Sequence, residues 1–291
     1  VGSEMCIRDS PFYFSIDDHY GASDHEVFND PAVGVPGIMM ITWPDLYYHT
    51  SQDRADKCDP TQMKRVCVIT AAAAYTIAGA DNDMALKIGG EVLGNSFERT
   101  GAQLRRAVDM LHESDNAWFE DAYKRGYNYI CAALLNEKAT LNSITELGLS
   151  DPEDFEKRNE SVLENMKESL ISSYQWYADN IANERDLDKP LYSLTDEEKD
   201  AEKMTPEITS KMKDAGYGAG RSIMREAGEL LDKYPVNGRV DINEILRLCD
   251  GHHNVFEIKM LLDGQMKNGE TRLSDVVNTV KILDETGYVK I

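Results

Sequence analysis

The feature that most restricts this fold is a change of periodicity near residue 80. From about Asp83 to Tyr234, apolar residues recur at helical spacing and strand signal is scarce. The spacing predicts helices over residues 84–112, 116–136, 152–181 and 220–233. Gly89-Gly90 lies inside the first of these. A glycine costs a helix interior about 1 kcal/mol relative to alanine, so an interruption is expected there. Residues 184–205 are dense in charge and read as a solvated connection. No repeat of about 20–50 residues recurs, which argues against a solenoid.

The first part of the chain has a different character. Residues 11–17 are apolar and aromatic and suit a strand, and residues 37–43 (GIMMITW) form a short continuous apolar run. Such a run fits a strand buried on both faces of a parallel sheet. Polar loops rich in Gly, Ser, Asp and His flank it. Asp59-Pro60 then supplies a capping carboxylate followed by proline at the first helical position, so a helix is expected from there to about Ala78. Strand, loop and helix in this order predict an α/β layer over residues 11–82.

At the other end, Tyr234-Pro235-Val236-Asn237-Gly238 is a turn signal. Three short elements follow, at 241–249, 255–267 and 273–286, and the chain closes on Gly287-Tyr288-Val289-Lys290-Ile291, which reads as a strand. Short helices leading into a strand resemble a small winged-helix domain over 236–291. The fold class expected is therefore an α/β fragment (11–82), a mainly α-helical region (83–235) and a winged-helix-like end.

Charge and apolar content exclude some functions. The net charge is −21, from 31 basic and 52 acidic residues, and a surface this acidic repels phosphate backbones. No nucleic-acid partner is expected, and the 236–291 segment is not basic either. No apolar run approaches the roughly 20 residues of a membrane helix, so no membrane span is expected. Cys6, Cys58, Cys67, Cys131 and Cys249 are scattered without a CxxC pair. They are expected to be free, buried thiols rather than a disulfide or zinc framework. His252-His253 has no partner residues close in sequence and reads as a turn.

Val1–Ser10 reads VGSEMCIRDS. The string resembles the translation of a transposase-type sequencing adapter, carried by Met5-Cys6-Ile7-Arg8-Asp9-Ser10. It is set aside from fold reasoning on that ground. The corresponding expectation is that the natural chain continues upstream of Pro11, and that any signal peptide lies there.

The residues with chemical potential cluster around the apolar run. One group is Ser23-Asp24-His25-Glu26-Val27-Phe28, followed by Gly34-Val35-Pro36. The other is Tyr48-His49-Thr50, followed by Asp53-Arg54-Ala55-Asp56-Lys57-Cys58-Asp59-Pro60. In open α/β sheets, ligands sit at loops beyond the carboxyl ends of strands, which is where this spacing would place both groups. Taken in order, these motifs are similar to peptidase family twenty-eight of the metallo class. Its members are co-catalytic zinc aminopeptidases and carboxypeptidases, with glutaminyl cyclases as relatives. The resemblance covers roughly residues 11–80.

The resemblance implies that His49 is the last metal ligand of a site holding two Zn2+ ions. A neutral imidazole suits zinc at about 2.0–2.1 Å. It implies that Tyr48 could support a developing oxyanion. It implies that Asp24 and His25 hold the site by hydrogen bonding. Asp53, Asp56 and Asp59 read as loop and cap residues. The family's remaining ligands and its glutamate base belong to motifs that do not occur in this sequence.

The implied activity is hydrolysis of a peptide or protein substrate by metal-activated water, in a secreted or periplasmic setting, with this chain alone inactive. Two other readings stay open. One is a non-catalytic interaction protein that keeps the peptidase fold, and the other is a glutaminyl-cyclase-like acyltransferase. The role of the helical region, substrate preference and oligomeric state are not legible here.

Overall fold

A computed structural model describes residues 14–16, 23–238, 240–265 and 270–291. The adapter-like string 1–10 lies outside the described residues. Of the strand expected over 11–17 only residues 14–16 are described, and these have no regular structure.

The expected α/β layer is not what forms. Helix α1 (His25–Asn29) is followed by irregular backbone through residues 37–43, a 3-10 turn at Ala55–Lys57, and helix α2 (Pro60–Ala78). The GIMMITW run is neither a strand nor buried, since Ile38, Ile41 and Trp43 are 79%, 52% and 57% exposed. A strand must hand its N–H and C=O groups to a neighbour, and no described residue offers a ladder to this run. Helix α2 does form where expected. The Asp59 carboxylate accepts from the Thr61 and Gln62 amides, and Pro60 opens the first turn. None of its residues is buried.

The body of the molecule begins at α3 (Asn82–Glu113), which packs with α4 (Phe119–Asn142) and α5 (Pro152–Glu184). Helices α3 and α5 reach beyond the spans read from periodicity, whereas α4 starts after a 3-10 turn at Asn116–Trp118 and runs on past the expected end at 136. Gly89-Gly90 does not break α3. Gly89 instead lets α5 approach, because a Cβ there would stand 2.9 Å from the Phe155 ring. Between the three helices lies one core, with Leu111, Tyr123, Ile130, Leu141 and Tyr174 almost wholly buried. Each such side chain contributes on the order of 1.5–3 kcal/mol. The Tyr123 and Tyr174 rings stack at 5.3 Å, and burial pushes the Tyr123 hydroxyl up to about 12. Buried Glu137 accepts from Ser96 Oγ at 2.6 Å and from Arg99 Nε and Nη2 at 2.7 and 2.6 Å, which ties α4 to α3.

The segment read as a solvated connection is more structured than its charge suggests. Tyr192 stacks on Tyr127 at 3.8 Å and donates to Asn128 Oδ1 at 2.9 Å. Thr195 and Glu198 form a reciprocal capping box at the start of α6 (Asp196–Ala201). Leu194, Ala201 and Met204 turn inward to a second core while the charges face out.

That second core joins α6, α7 (Ser210–Ala215), α8 (Ala219–Glu226), α10 (Ile242–Leu248), α11 (Val255–Gln265) and α12 (Leu273–Glu285) to Ala132 on α4. Helix α4 therefore contributes to both cores. The helix expected over 220–233 is split into α8 and α9 (Leu230–Lys233), because Gly228 takes a φ of +43° between them. The turn after Tyr234 is anchored by buried Asp275, whose carboxylate accepts from the Asn237 and Gly238 amides at 3.0 Å each.

The described strands are β1 (Glu207–Ile208) and β2 (Val289–Lys290), paired antiparallel with Glu207 opposite Lys290 and Ile208 opposite Val289. The winged-helix expectation is not met by this arrangement. The closing strand pairs with a segment upstream of the helices, and residues 236–291 share their core with α4, α6, α7 and α8. The protein is thus mainly helical, and the α/β expectation is corrected.

Candidate metal-ligand segment

His49 sits at the tip of a tight turn built by its neighbours. Tyr47 N donates to Asp45 Oδ1 at 2.8 Å, Thr50 N and Oγ1 both donate to Tyr47 O, and Gln52 N donates to Thr50 Oγ1. This network holds His49 at a φ of +58°. For a residue with a Cβ, that left-handed region costs roughly 1–2 kcal/mol. Its imidazole stacks on Tyr48 with centroids 3.9 Å apart, and Trp43 meets Tyr48 edge-on at 5.6 Å. His49 and Tyr48 are both exposed. Lys57 lies 5.1 Å from the Tyr47 ring centroid and helps close the turn.

Asp24 precedes α1 and its side chain makes no capping bond, while His25 is the first residue of that helix. The α1 region is tied to the start of the apolar run. Asn29 Oδ1 accepts from Gly37 N at 2.6 Å and Asn29 Nδ2 donates to Gly37 O at 2.9 Å. Space at Gly37 is tight, since a Cβ there would stand 3.2 Å from His25 O. Asp56 pairs with Arg54 and Lys57 on the surface, and Asp59 caps α2.

The structure brings Tyr48 and His49 together but does not assemble a metal site. Among the described residues, no group of three or more His, Cys, Asp or Glu side chains could hold a metal ion. A zinc site needs at least three protein ligands, so the described residues do not fit the group the resemblance implies. His252 and His253 form the expected turn. The Asp250 carboxylate accepts from both backbone amides, and its second oxygen lies 2.8 Å from His253 Nδ1. The cysteine expectation is half right, since all four described thiols are free but Cys58 and Cys67 are exposed.

Residues 4–74 match peptidase family M28. That segment of the chain belongs to this family. The match starts inside the 1–10 string and ends within α2, so it takes in Asp24, His25, Tyr48 and His49. The match supports a peptidase-family origin for this segment, and it covers about a quarter of the chain. Neither a curated protein nor a solved structure gives a match. Among the described residues, no helix is long and apolar enough to cross a membrane.

Sequence reasoning missed a set of residues that secures the M28 segment. Asp30 is 3% exposed, and its carboxylate accepts from Ala32 N at 2.9 Å and from Gly218 N at 3.0 Å. Arg247 Nε donates to Asn29 O at 2.5 Å. Asn29-Asp30-Pro31 could have been read as a local turn, but its partners lie 188 and 218 positions away, which no local pattern reveals.

Proposed function

We propose that the M28 segment is part of a zinc-dependent exopeptidase of aminopeptidase type, in which His49 serves as a metal ligand and the whole protein cleaves peptide substrates outside the cytoplasm. The observation that carries this reading is the match of residues 4–74 to peptidase family M28, with both chemical clusters inside the matched span. The geometry of the His49 turn supports it. A strained backbone held by several bonds is a way to present one imidazole outward, and such strain gathers at functional positions. Because the described residues do not complete a metal site, no catalytic step is drawn through zinc on this chain. The chain alone is accordingly inactive on peptides.

The test is Zn2+ titration of the full chain followed by histidine NMR. The His49 imidazole line, assigned by its loss in His49→Ala, should broaden first and at weak affinity. No aminoacyl-anilide hydrolysis should accompany it. Equal broadening of all exposed histidines would remove His49 as the ligand. Turnover by the purified chain would show that the described residues do more than this reading allows.

A further inference from the structure

Among the described residues up to Gly79, only Asp30 and Pro31 are buried. The rest of the segment is exposed or half-buried, including large apolar side chains such as Ile38, Leu46, Val68 and Tyr75. The two buried residues are not scattered. They lie together at the end of α1, against the second core of the helical body.

The contact has the features of a built seat. Asp30 Oδ2 accepts from Gly218 N, the residue that precedes α8. Gly218 has a φ of +82°, which aims its amide outward at no steric cost. The amino end of α8 carries a partial positive charge, which favours a carboxylate beside it. Asp30 Oδ1 accepts from Ala32 N, and Asp30 O accepts from Val33 N and Gly34 N, which closes the turn on itself. Ala32 packs against the second core. Arg247 of α10, ion-paired with Glu244, donates to Asn29 O. The side chain of the same Asn29 brackets Gly37, and Val35 N donates to Phe28 O. The seat therefore reaches through Asn29 to both α1 and the start of the apolar run.

We infer that the Gly218–Arg247 face of the helical body is a docking surface for the Asn29–Ala32 turn of the M28 segment, and that Asp30 and Arg247 are positioning residues for α1, whose first turn bears Asp24 and His25. The C-terminal region then acts as a platform for the peptidase segment. A buried carboxylate that accepts two amides gives this contact direction, since an apolar side chain at position 30 would leave the Gly218 amide without its partner. The functional meaning of the positioning rests on the peptidase reading, but the docking does not.

The experiment uses the full chain with Asp30→Ala, Arg247→Ala, Arg247→Lys and a control, Lys203→Ala, which breaks an exposed ion pair with Asp200 just past the end of α6. Two readouts are followed: the rate of Glu-C cleavage after Glu26, and the His25 imidazole NMR line, assigned by its loss in His25→Gln. Asp30→Ala and Arg247→Ala should raise cleavage about tenfold and move the His25 line toward its unfolded position, as expected when a local unit loses one or two of its few anchoring bonds. Arg247→Lys, which keeps a donor, should be intermediate, and Lys203→Ala should match the wild type. The unfolding midpoint of the helical body should stay where it is. The inference is overturned if Glu26 is already cleaved in the wild type at the rate of the unfolded chain. It is also overturned if neither alanine variant changes that rate, or if Asp30→Ala lowers the midpoint of the whole body. Neither readout needs metal or peptide turnover, so failure here leaves the peptidase reading untouched.

Discussion

Residues 23–78 and residues 82–291 solve the packing problem in opposite ways. The first region carries the family sequence and buries almost nothing. Helix α2 has no buried residue, and the apolar run before it faces solvent. The second region lies outside the M28 match and holds two cores that meet on α4. Helices in proteins draw most of their stability from a packed face, which α3, α4 and α5 give one another and α2 lacks. Recognisable sequence and self-sufficient structure therefore lie in different parts of this chain.

The widest gap between the regions should appear in paired truncations. Leu111→Ala, in the core between α3, α4 and α5, should cost about 2–5 kcal/mol in chemical denaturation. Val68→Ala on α2, where the side chain is 60% exposed, should stay within about 0.5 kcal/mol. Equal costs would mean that α2 packs on a surface as the body helices do.

Thiol chemistry tests the same contrast without destabilising the protein. Cys58 and Cys67 are exposed, whereas burial pushes the Cys131 thiol up to about 11 and the Cys249 thiol up to about 12. Only the thiolate reacts, so at pH 8 the second pair should be alkylated at least about 100-fold more slowly, read peptide by peptide in a mass spectrometer. Rapid labelling of Cys249 would show that the second core opens readily.

A smaller effect should follow pH. The hydrogen bond that the protonated His253 ring donates to the Asp250 carboxylate raises the pKa of His253, against the opposing effect of burial. Burial would raise the pKa of Asp250, but the His253 ring and the two backbone amides outweigh it and hold the carboxyl below its usual range. The His253 contribution is complete below its unfolded value of about 6.5 and fades as pH rises through the raised folded value. The Asp250 contribution is present above about 3.9 and fades as pH falls through the lowered one. Asp250→Asn keeps an acceptor for both amides, so it should cost about 1 kcal/mol near pH 5.5 and less near pH 8.5. That cost is discounted from the ~1.5–3 kcal/mol of a buried charge-assisted bond because Asp250 is 37% exposed. A larger loss at pH 8.5 would reverse the assigned sign.

Local signals were legible where the physics is local. The Asp59-Pro60 start of α2, the three long helices and the turn at Asp250 follow from capping and periodicity, and the structure forms all of them. GIMMITW failed as a strand because an apolar run states a preference for burial, not the existence of a neighbour to pair with. The 184–205 stretch misled because charge on its outer face masked Tyr192, Leu194 and Met204 on the inner one. The ordered motifs singled out Tyr48 and His49, whose role stands as a proposal, whereas the Asp30 seat was not legible, since its partners come from α8 and α10.

Amide hydrogen exchange along the full chain tests the contrast most directly. Peptides from α2 should exchange close to unprotected rates, while peptides from α4 and α11 should be protected to near the global unfolding free energy. Protection of α2 equal to that of α4 would contradict the division into a family segment anchored only at the Asn29–Ala32 turn and a self-sufficient helical body.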